Sequence, residues 1–329
     1  ITTTAPVTSV TLAEYESALE SITYHSTNEN PTQNTPSASR TITWLVTDAN
    51  SDGAGAGTST AVTSTIIITP IKDDPVVSDI GTLSYTEDYD AGGNFLEDHA
   101  AVIDGSITIE DDDDTHIAGG TVTISSGYLT GDILTLTGQG DINGGVSDDS
   151  GVLTITTTAP VTLAEYESAL ESITYHTTNE DPTTNNTNNS REITWEVTDA
   201  DSDGSGAATS TADAKSTIEI ISSSDAPIVT TSGSSASYIE NGTSAVIDNS
   251  ITISDVDDTQ LDSAKVTISS GFTAGDTLIL TDPGTLSSSF ISDSVLSITG
   301  TADLSDYETA LQSITYHTTN EDPTTNNTN

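Results

Sequence analysis

The residues best suited to chemistry in this chain are carboxylates, which cluster at recurring places along it. The chain holds 51 acidic residues against 5 basic ones, for a formal net charge of −46. Calcium takes roughly six to eight oxygen ligands, and Asp-rich loops supply such oxygens at short spacing. With no cysteine and only 5 histidines in the chain, zinc and copper are poor fits. The pattern therefore predicts calcium sites.

Four positions in each repeat of the sequence carry these clusters: the junction between repeats, and the ends of three predicted strands. The candidate calcium ligands are Asp73, Asp74, Glu87, Asp111, Asp113, Asp199, Asp201, Asp203, Asp225, Glu240, Asp255 and Asp257. So many carboxylates at a junction repel one another unless a cation lies among them, which favours bound calcium there. The alternative is an acidic surface that only keeps the protein solvated, and the two can coexist.

The cluster after the tryptophan strand begins like an EF-hand loop. Asp199, Asp201 and Asp203 are followed by Gly204, as in the first half of that motif. The twelfth position is Ser210 instead of a bidentate glutamate, and no helix precedes the loop, so an EF-hand is rejected. A calcium turn and an ion-free Asp-Gly hairpin both remain open.

These clusters belong to a sequence that repeats itself. The stretch EYESALESITYH occurs at 14–25 and again at 165–176, and DYETALQSITYH follows at 306–317. The period is too long for solenoid repeats of ~20–50 residues and fits separate domains of ~100–150 residues. A residue present in every copy is expected to maintain the module.

The repeat predicts one complete module over 73–224, the C-terminal part of another over 1–72, and the N-terminal part of a third over 225–329. We expect the chain to be a window on a longer array. Completion of a terminal part by a neighbouring subunit is disfavoured, because the helix and the ITYH strand would then be supplied twice.

Strands are predicted by period-2 runs of β-branched residues bounded by Gly, Asp and Asn. In the complete copy these runs lie at 106–109, 121–124, 133–137, 152–155, 173–175, 193–197 and 216–220. About seven to eight short strands describe a β-sandwich. Alternation places Ile193, Trp195 and Val197 on one face, and Trp195 and its counterpart Trp44 are predicted to anchor the core.

One helix interrupts the strands. Thr162 and Glu165 form a capping box at its start. Its apolar stripe consists of Leu163, Tyr166, Leu170 and Ile173, and we expect it to close one end of the core. The predicted fold class is therefore all-β, with tandem Greek-key β-sandwich modules that each carry one short helix. The glycine-rich stretches at 48–57 and 199–208 are predicted hairpin turns, and 177–190 is predicted to be an exposed loop.

Several motifs, in this order, resemble those of the cadherin-like tandem repeats of very large bacterial surface proteins. YIEN at 238–241 is similar to the early Glu-Asn element of such modules. VTDAD at 197–201 resembles their late strand and its turn. Residues 216–227 form a predicted strand that leads into Asp-Ala-Pro, and they resemble the last strand of such modules with the acidic linker that follows it.

The resemblance implies calcium between successive modules. Carried over by position, it implies that Glu87, Asp73 and Asp74 serve the first junction, and that Glu240 and Asp225 serve the second. The resemblance also implies that the pairs Asp111/Asp113 and Asp255/Asp257 contribute ligands to these calcium sites. The linkers lack the full Asn-Asp-Asn run of the family, and the helix and the Asn-rich loop are additions to its pattern.

Composition excludes several functions. Five basic residues cannot neutralise a nucleic acid backbone or hold the chain on an anionic membrane. No catalytic triad surrounds the repeated histidines, so we do not expect an enzyme. The expected function is a calcium-stiffened extracellular structural repeat, in the rod or fibre shaft of a large, secreted, bacterial surface or adhesion protein.

The alternative function is an adhesive module that binds a glycan or associates laterally with other copies into filaments. Its partners would be cell-surface ligands or other copies, whereas a rod module contacts mainly its neighbours in the same chain. An exposed apolar patch would favour the adhesive reading. The candidates for such a patch are Tyr89, Phe95 and Leu96.

Overall fold

The computed structural model describes residues 10–35, 37–87, 100–202 and 204–324. The candidate ligand Asp203 and the candidate patch formed by Tyr89, Phe95 and Leu96 lie outside the described residues. Three labels follow the sequence repeat: the first segment is 10–72, the second is 73–224 and the third is 225–324. The module boundaries behind these labels stay a prediction.

Short strands dominate the described residues. The first segment contains α1 (Leu12–Glu20), β1 (Ser39–Trp44) and β2 (Val62–Ile67). The second contains β3 (Val76–Ser78), β4 (Thr82–Thr86), β5 (Ala101–Val102), β6 (Thr108–Glu110), β7 (His116–Ser126), β8 (Asp132–Leu136), β9 (Ile142–Asn143), β10 (Gly145–Val146), β11 (Val152–Thr162), α2 (Leu163–Leu170), β12 (Thr174–Thr177), β13 (Ser190–Asp199) and β14 (Lys215–Ile221).

The third segment follows the same order for most of its length. It contains β15 (Ile228–Thr230), β16 (Ala245–Val246), β17 (Thr252–Ser254), β18 (Gln260–Thr267), β19 (Asp276–Leu280), β20 (Ser287–Ser292), β21 (Val295–Asp303), α3 (Leu304–Gln312) and β22 (Ile314–Thr318). The all-β prediction is confirmed. Among the described residues, no helix has the length and apolar character needed to cross a membrane.

Two sheets enclose the core of the second segment. A six-stranded sheet has the order β4-β14-β13-β7-β11-β9, and a four-stranded sheet has the order β10-β8-β12-β5. Strand β13 alternates as predicted: Ile193, Trp195 and Val197 are each 0 % exposed. They pack with Leu134 and Tyr175 of the other sheet in one apolar cluster, which is the sandwich predicted from the sequence.

Helix α2 closes one end of this core. The capping box forms, with Glu165 N–H donating to Thr162 Oγ1 at 3.3 Å and Thr162 N–H donating to Glu165 Oε2 at 3.0 Å. Such a box satisfies N–H groups that the first helical turn leaves without partners. Tyr166 and Leu170 are buried within the core cluster, so the predicted stripe is confirmed.

The first segment differs from its counterpart despite an identical helix sequence. Helix α1 has the same capping box as α2 but no buried residue. Strands β1 and β2 form a two-stranded sheet, and Trp44 is half-buried whereas Trp195 is fully buried. The prediction that Trp44 anchors a core is therefore wrong for the described residues, because no second sheet lies against β1 there.

Candidate metal centres

Strand direction decides which junction Glu87 serves. β4 pairs with β14 in parallel, so the two strands end at the same end of the second segment. Glu87 directly follows β4, and the N–H of Ser223, which follows β14, donates to Glu87 Oε2 at 3.1 Å. The N–H of Glu87 in turn donates to the carbonyl of Ile221 at 2.9 Å. Glu87 therefore lies at the second junction, close to Asp225.

The placement of Glu87 at the first junction with Asp73 is thus corrected. It assumed that a carboxylate after a module's first strand faces the preceding junction, whereas the parallel pairing carries it to the following one. Glu240 is the counterpart of Glu87 in the third segment. It is exposed to solvent.

The second junction joins carboxylates from two segments. The N–H of Asp225 donates to Oδ2 of Asp257 at 3.2 Å. Within the loop after β17, the N–H groups of Asp257 and Asp258 donate to Oδ1 of Asp255 at 3.4 and 3.1 Å. Asp255, Asp257 and Asp258 each place a carboxylate oxygen within 4.8 Å of the others. This spacing suits a shared cation.

The first junction repeats this geometry. The N–H of Asp73 donates to Oδ2 of Asp113 at 3.1 Å, as Asp225 does to Asp257. The N–H groups of Asp113 and Asp114 donate to Oδ1 of Asp111 at 3.1 and 2.8 Å. Asp111, Asp114 and Asp199 bring carboxylate oxygens within 4.8 Å of one another. The two junctions thus share the hydrogen bonds of the link and of the acidic loop, whereas Asp199 joins the carboxylate group of the first alone among the described residues.

The aspartates that follow β13 have two different roles: Asp199 lies at the first junction, and Asp201 lies in a hairpin turn. Asp199 is 0 % exposed and accepts hydrogen bonds from the N–H groups of Ala208 at 2.6 Å and Asp201 at 2.9 Å. Asp201 has a positive φ of 54° and accepts from Gly206 N–H at 2.7 Å. Asp199 thus belongs to the acidic cluster, while Asp201 shapes the predicted turn.

Sequence reasoning missed Asp114 and Asp258. Both lie in runs of consecutive aspartates, at 111–114 and 257–258. They were missed because only alternate residues of each acidic cluster were selected as candidate ligands. Asp114 is 2 % exposed, and both the N–H and the hydroxyl of Ser202 donate to its Oδ1. The signal was present in the unbroken run of four aspartates.

Sequence reasoning also did not recognise that the Asn-rich loops lie at the junctions. Residues 177–190 were predicted to be an exposed loop, yet Thr177 and Thr183 are buried. Asn185 and Asp257 line the same cavity of about 420 Å³ between the second and third segments. In the corresponding loop of the first segment, Asn34 Nδ2 donates to the carbonyl of Asp113 at 2.5 Å. The loop of the first segment therefore contacts the acidic loop of the second, and the loop of the second segment faces the acidic loop of the third across the cavity.

Burial and mutual repulsion raise the pKa values of the junction carboxylates. Burial, followed by the charges of Asp225, Asp257 and Asp181, raises the pKa of Glu87 to about 7. Burial and the adjacent Asp113 raise the pKa of Asp111 to about 7. Burial, with Asp255 and Asp225 close by, raises the pKa of Asp257 to about 6. Each carboxylate is thus held where its charge is poorly compensated.

Several oxygens at these junctions are buried without a hydrogen-bond donor. They are Glu87 Oε1, Asp111 Oδ2, Asp113 Oδ1 and Asp257 Oδ1. An unpaired buried charge is costly unless a proton or a cation compensates it. The donor set consists of carboxylate oxygens, which suits a hard cation such as Ca²⁺. The residues present therefore fit calcium.

Two groups of candidate ligands are brought together, and three candidates stand apart. The first-junction group is Asp73, Asp111, Asp113 and Asp199. The second-junction group is Glu87, Asp225, Asp255 and Asp257. Asp74 forms an exposed ion pair with Lys72 at 3.7 Å. Asp201 contacts Asp199 only through its N–H, while its carboxylate accepts from Gly206 in the turn. Glu240 is exposed.

Comparison with known proteins gives likeness to solved structures alone. No family model matches the chain, and no curated protein matches its sequence. Protocadherin Gamma B2 extracellular cadherin domains 1–5 superimpose with a TM-score of 0.32 at 14 % identity, over 81 % of this chain and 39 % of that one. Protocadherin Gamma B7 extracellular cadherin domains 1–4 give a TM-score of 0.24 at 12 % identity, over 81 % and 49 %.

The chain thus spans about two fifths to one half of the length of these structures. At such low TM-scores and identities, nothing about its function follows from the likeness. Its assignment to all-β sandwich modules rests on its own strands and their pairing.

Proposed function

We propose that the chain is a structural repeat whose junctions bind Ca²⁺ and thereby stiffen a rod. The observation that carries this proposal is the convergence of Glu87 from the second segment with Asp225 and Asp257. A cation shared by these side chains ties two segments together. The resemblance of the motifs to cadherin-like repeats supports placing the rod in the shaft of an extracellular, bacterial surface or adhesion protein.

The roles of the residues follow from their positions. Asp225 lies on the link between segments, and its N–H already holds Asp257 in place. Glu87 adds a charge from the segment before the link, and Asp255 with Asp258 adds charges from the segment after it. Bound calcium would neutralise this repulsion and fix the relative orientation of the two segments. Without it, the carboxylates repel and the link is free to bend.

The same proposal applies at the first junction, where Asp73 and Asp113 repeat the contact between Asp225 and Asp257. A unit that repeats one junction is suited to extension, because each added copy lengthens the rod by the same step. We propose no catalytic activity, since the carboxylates that converge do so at links and not in a substrate-sized apolar cleft.

Calorimetric melting of the chain tests this proposal directly. A ligand that binds only the folded state stabilises it by ~2.7 kcal/mol per site at about one hundred times its Kd. We expect a large rise in melting temperature in excess calcium relative to chelator, and little rise in excess magnesium, which prefers smaller octahedral sites. Equal melting temperatures in calcium and chelator would rule the proposal out.

A further inference from the structure

Two Asn-rich loops of similar sequence precede the two junctions. They are the first loop, 28–35, and the second loop, 179–186. An arginine on the following strand holds each of them in the same way. Arg40 Nη2 donates to the carbonyl of Pro31 at 2.6 Å. Arg191 Nη2 donates to the carbonyl of Pro182 at 2.7 Å. The two loops are therefore comparable position by position.

The loops differ at one position that shapes their hydrogen bonds. It is Asn30 in the first loop and Asp181 in the second. Both side chains accept the N–H of the residue four positions further on. The N–H of Asn34 donates to Asn30 Oδ1 at 3.3 Å, and the N–H of Asn185 donates to Asp181 Oδ1 at 2.9 Å. An asparagine also offers an Nδ2 donor, whereas an ionised aspartate only accepts.

This donor orients the amide of Asn34 at the first junction. Asn30 Nδ2 donates to Asn34 Oδ1 at 3.0 Å, so the amide oxygen of Asn34 is turned towards its own loop. Its Nδ2 is left to donate outward, and it does so to the carbonyl of Asp113 at 2.5 Å. Asp113 lies in the acidic loop of the second segment. A direct hydrogen bond, here called the latch, thus crosses the first junction.

At the second junction the amide of Asn185 is reversed. Its Nδ2 donates to Asp181 Oδ2 at 2.7 Å, so the amide nitrogen is turned towards its own loop. Asn185 is exposed and lines the cavity of about 420 Å³ that Asp257 also lines. Asp257 is the counterpart of Asp113, yet no hydrogen bond between described residues joins Asn185 to its carbonyl. Asp181 also adds a negative charge near Glu87.

We propose that the residue at this position decides whether a junction is latched directly or depends on a cation. With Asn30, the loop bonds to the next segment and needs no ion. With Asp181, the loop keeps the amide nitrogen to itself, and calcium must close the junction. The second statement rests on the proposed function, whereas the latch itself does not. The third copy of the loop carries Asp322, as the second carries Asp181.

The two junctions should therefore differ in their need for calcium. In chelator the first junction retains one bond across the link, while at the second the carboxylates repel without any such bond. One hydrogen bond has a modest net effect on stability, and it shifts the ratio of closed to open junctions by about twofold to tenfold. A rod built from both kinds of junction bends first at those that carry the aspartate.

Distances between two spin labels, measured in chelator, test this inference. The chain has no cysteine, so labels can be placed at Thr154→Cys and Ser289→Cys, exposed positions on β11 and β20 on either side of the second junction. Adding Asp181→Asn should narrow the distribution of distances. The new Nδ2 turns the amide of Asn185, which then donates to the carbonyl of Asp257.

A matched control separates the latch from the loss of charge. The double variant Asp181→Asn with Asn185→Ala loses the same charge but has no amide to donate, so its distribution should be broader than that of Asp181→Asn alone. The converse applies at the first junction, with labels at Thr43→Cys and Thr154→Cys. There Asn34→Ala should broaden the distribution, whereas Asn185→Ala in the original chain should leave the second junction unchanged.

Equal distributions for Asp181→Asn and the double variant would overturn the inference, as would a first junction that Asn34→Ala leaves unchanged. Both comparisons are made without calcium, so they do not depend on the proposed function. That proposal fails separately, if saturating calcium does not narrow the distribution at the second junction of the chain that carries Asp181.

Discussion

The N–H of Asp225 lies 3.2 Å from Oδ2 of Asp257, a residue 32 positions further along the chain. The N–H of Asp73 makes the same contact with Asp113 at 3.1 Å. The link between segments is therefore fastened to the acidic loop of the following segment at both junctions. Glu87, from the preceding segment, completes the second group. A cation bound there would contact residues on both sides of the link.

Removing one junction carboxylate should weaken calcium binding. We expect Glu87→Gln and Asp257→Asn each to lower affinity at the second junction by at least about tenfold, the equivalent of ~1.4 kcal/mol, because each removes an anionic oxygen ligand. Isothermal titration with calcium measures this change. The matched control is Asp293→Asn, an exposed turn residue of the third segment that loses the same charge. If the control variant lost as much calcium affinity as the junction variants, the cause would be the general loss of charge and not the removal of a specific ligand.

The pH dependence of stability should be marked in chelator and weak in calcium. In the calcium-free protein burial raises the pKa of Glu87 and Asp111 to about 7 and of Asp257 to about 6, against unfolded values near ~4. The folded state then binds more protons than the unfolded state, so stability increases as pH falls from about 8 towards 5.5. Calcium competes with those protons, so its stabilisation is largest above pH ~7 and declines on acidification.

Melting temperatures measured across this pH range in chelator and in calcium check the prediction. The two curves should converge as the pH falls. Parallel curves would mean that these carboxylates do not share their site with calcium.

The buried pair of Arg191 and Asp132 should be essential to the second segment. Arg191→Met leaves Asp132 charged and buried, at an expected cost of ~3–5 kcal/mol. It also removes the donors to the carbonyls of Pro182 and Asn188, and so releases the Asn-rich loop. Lys215→Met is the control, because the pair of Lys215 with Glu192 is exposed and worth only ~0–1 kcal/mol. Denaturant unfolding compares the two, and equal losses would refute the assignment.

Two leucines in identical sequence should respond differently to truncation. Leu170 is 1 % exposed within the core cluster, so Leu170→Ala should cost ~2–5 kcal/mol. Leu19, its counterpart in α1, is half-buried and has no core around it, so Leu19→Ala should cost under about 1 kcal/mol. Calorimetry of both variants measures the difference. Similar losses would mean that α1 packs as α2 does.

Local signals in the sequence were sufficient for much of the fold. The capping box of Thr162 and Glu165 lies within a single helical turn, and the alternation around Trp195 spans one strand. Each depends on neighbouring residues, so each could be predicted without the rest of the chain. Because the sequence repeats, an assignment made in one segment could be transferred to the matching residues of the next.

The candidate site depends on contacts that the sequence does not display. Glu87 was assigned to the wrong junction because the parallel pairing of β4 with β14 joins residues far apart in the chain. Asn34 was passed over because its partner, Asp113, is 79 residues away. Trp44 was predicted to be a core residue from its register alone, whereas burial also requires a second sheet.

Small-angle scattering of the full chain in saturating calcium, in magnesium and in chelator tests the central claim most directly. If calcium stiffens the junctions, the maximum dimension in calcium should be longer, and the data should fit a single rigid arrangement of the segments. In chelator or magnesium they should require a range of link angles. Identical scattering curves in calcium and chelator, at a calcium concentration that saturates any binding, would contradict the claim that these junctions are stiffened by calcium.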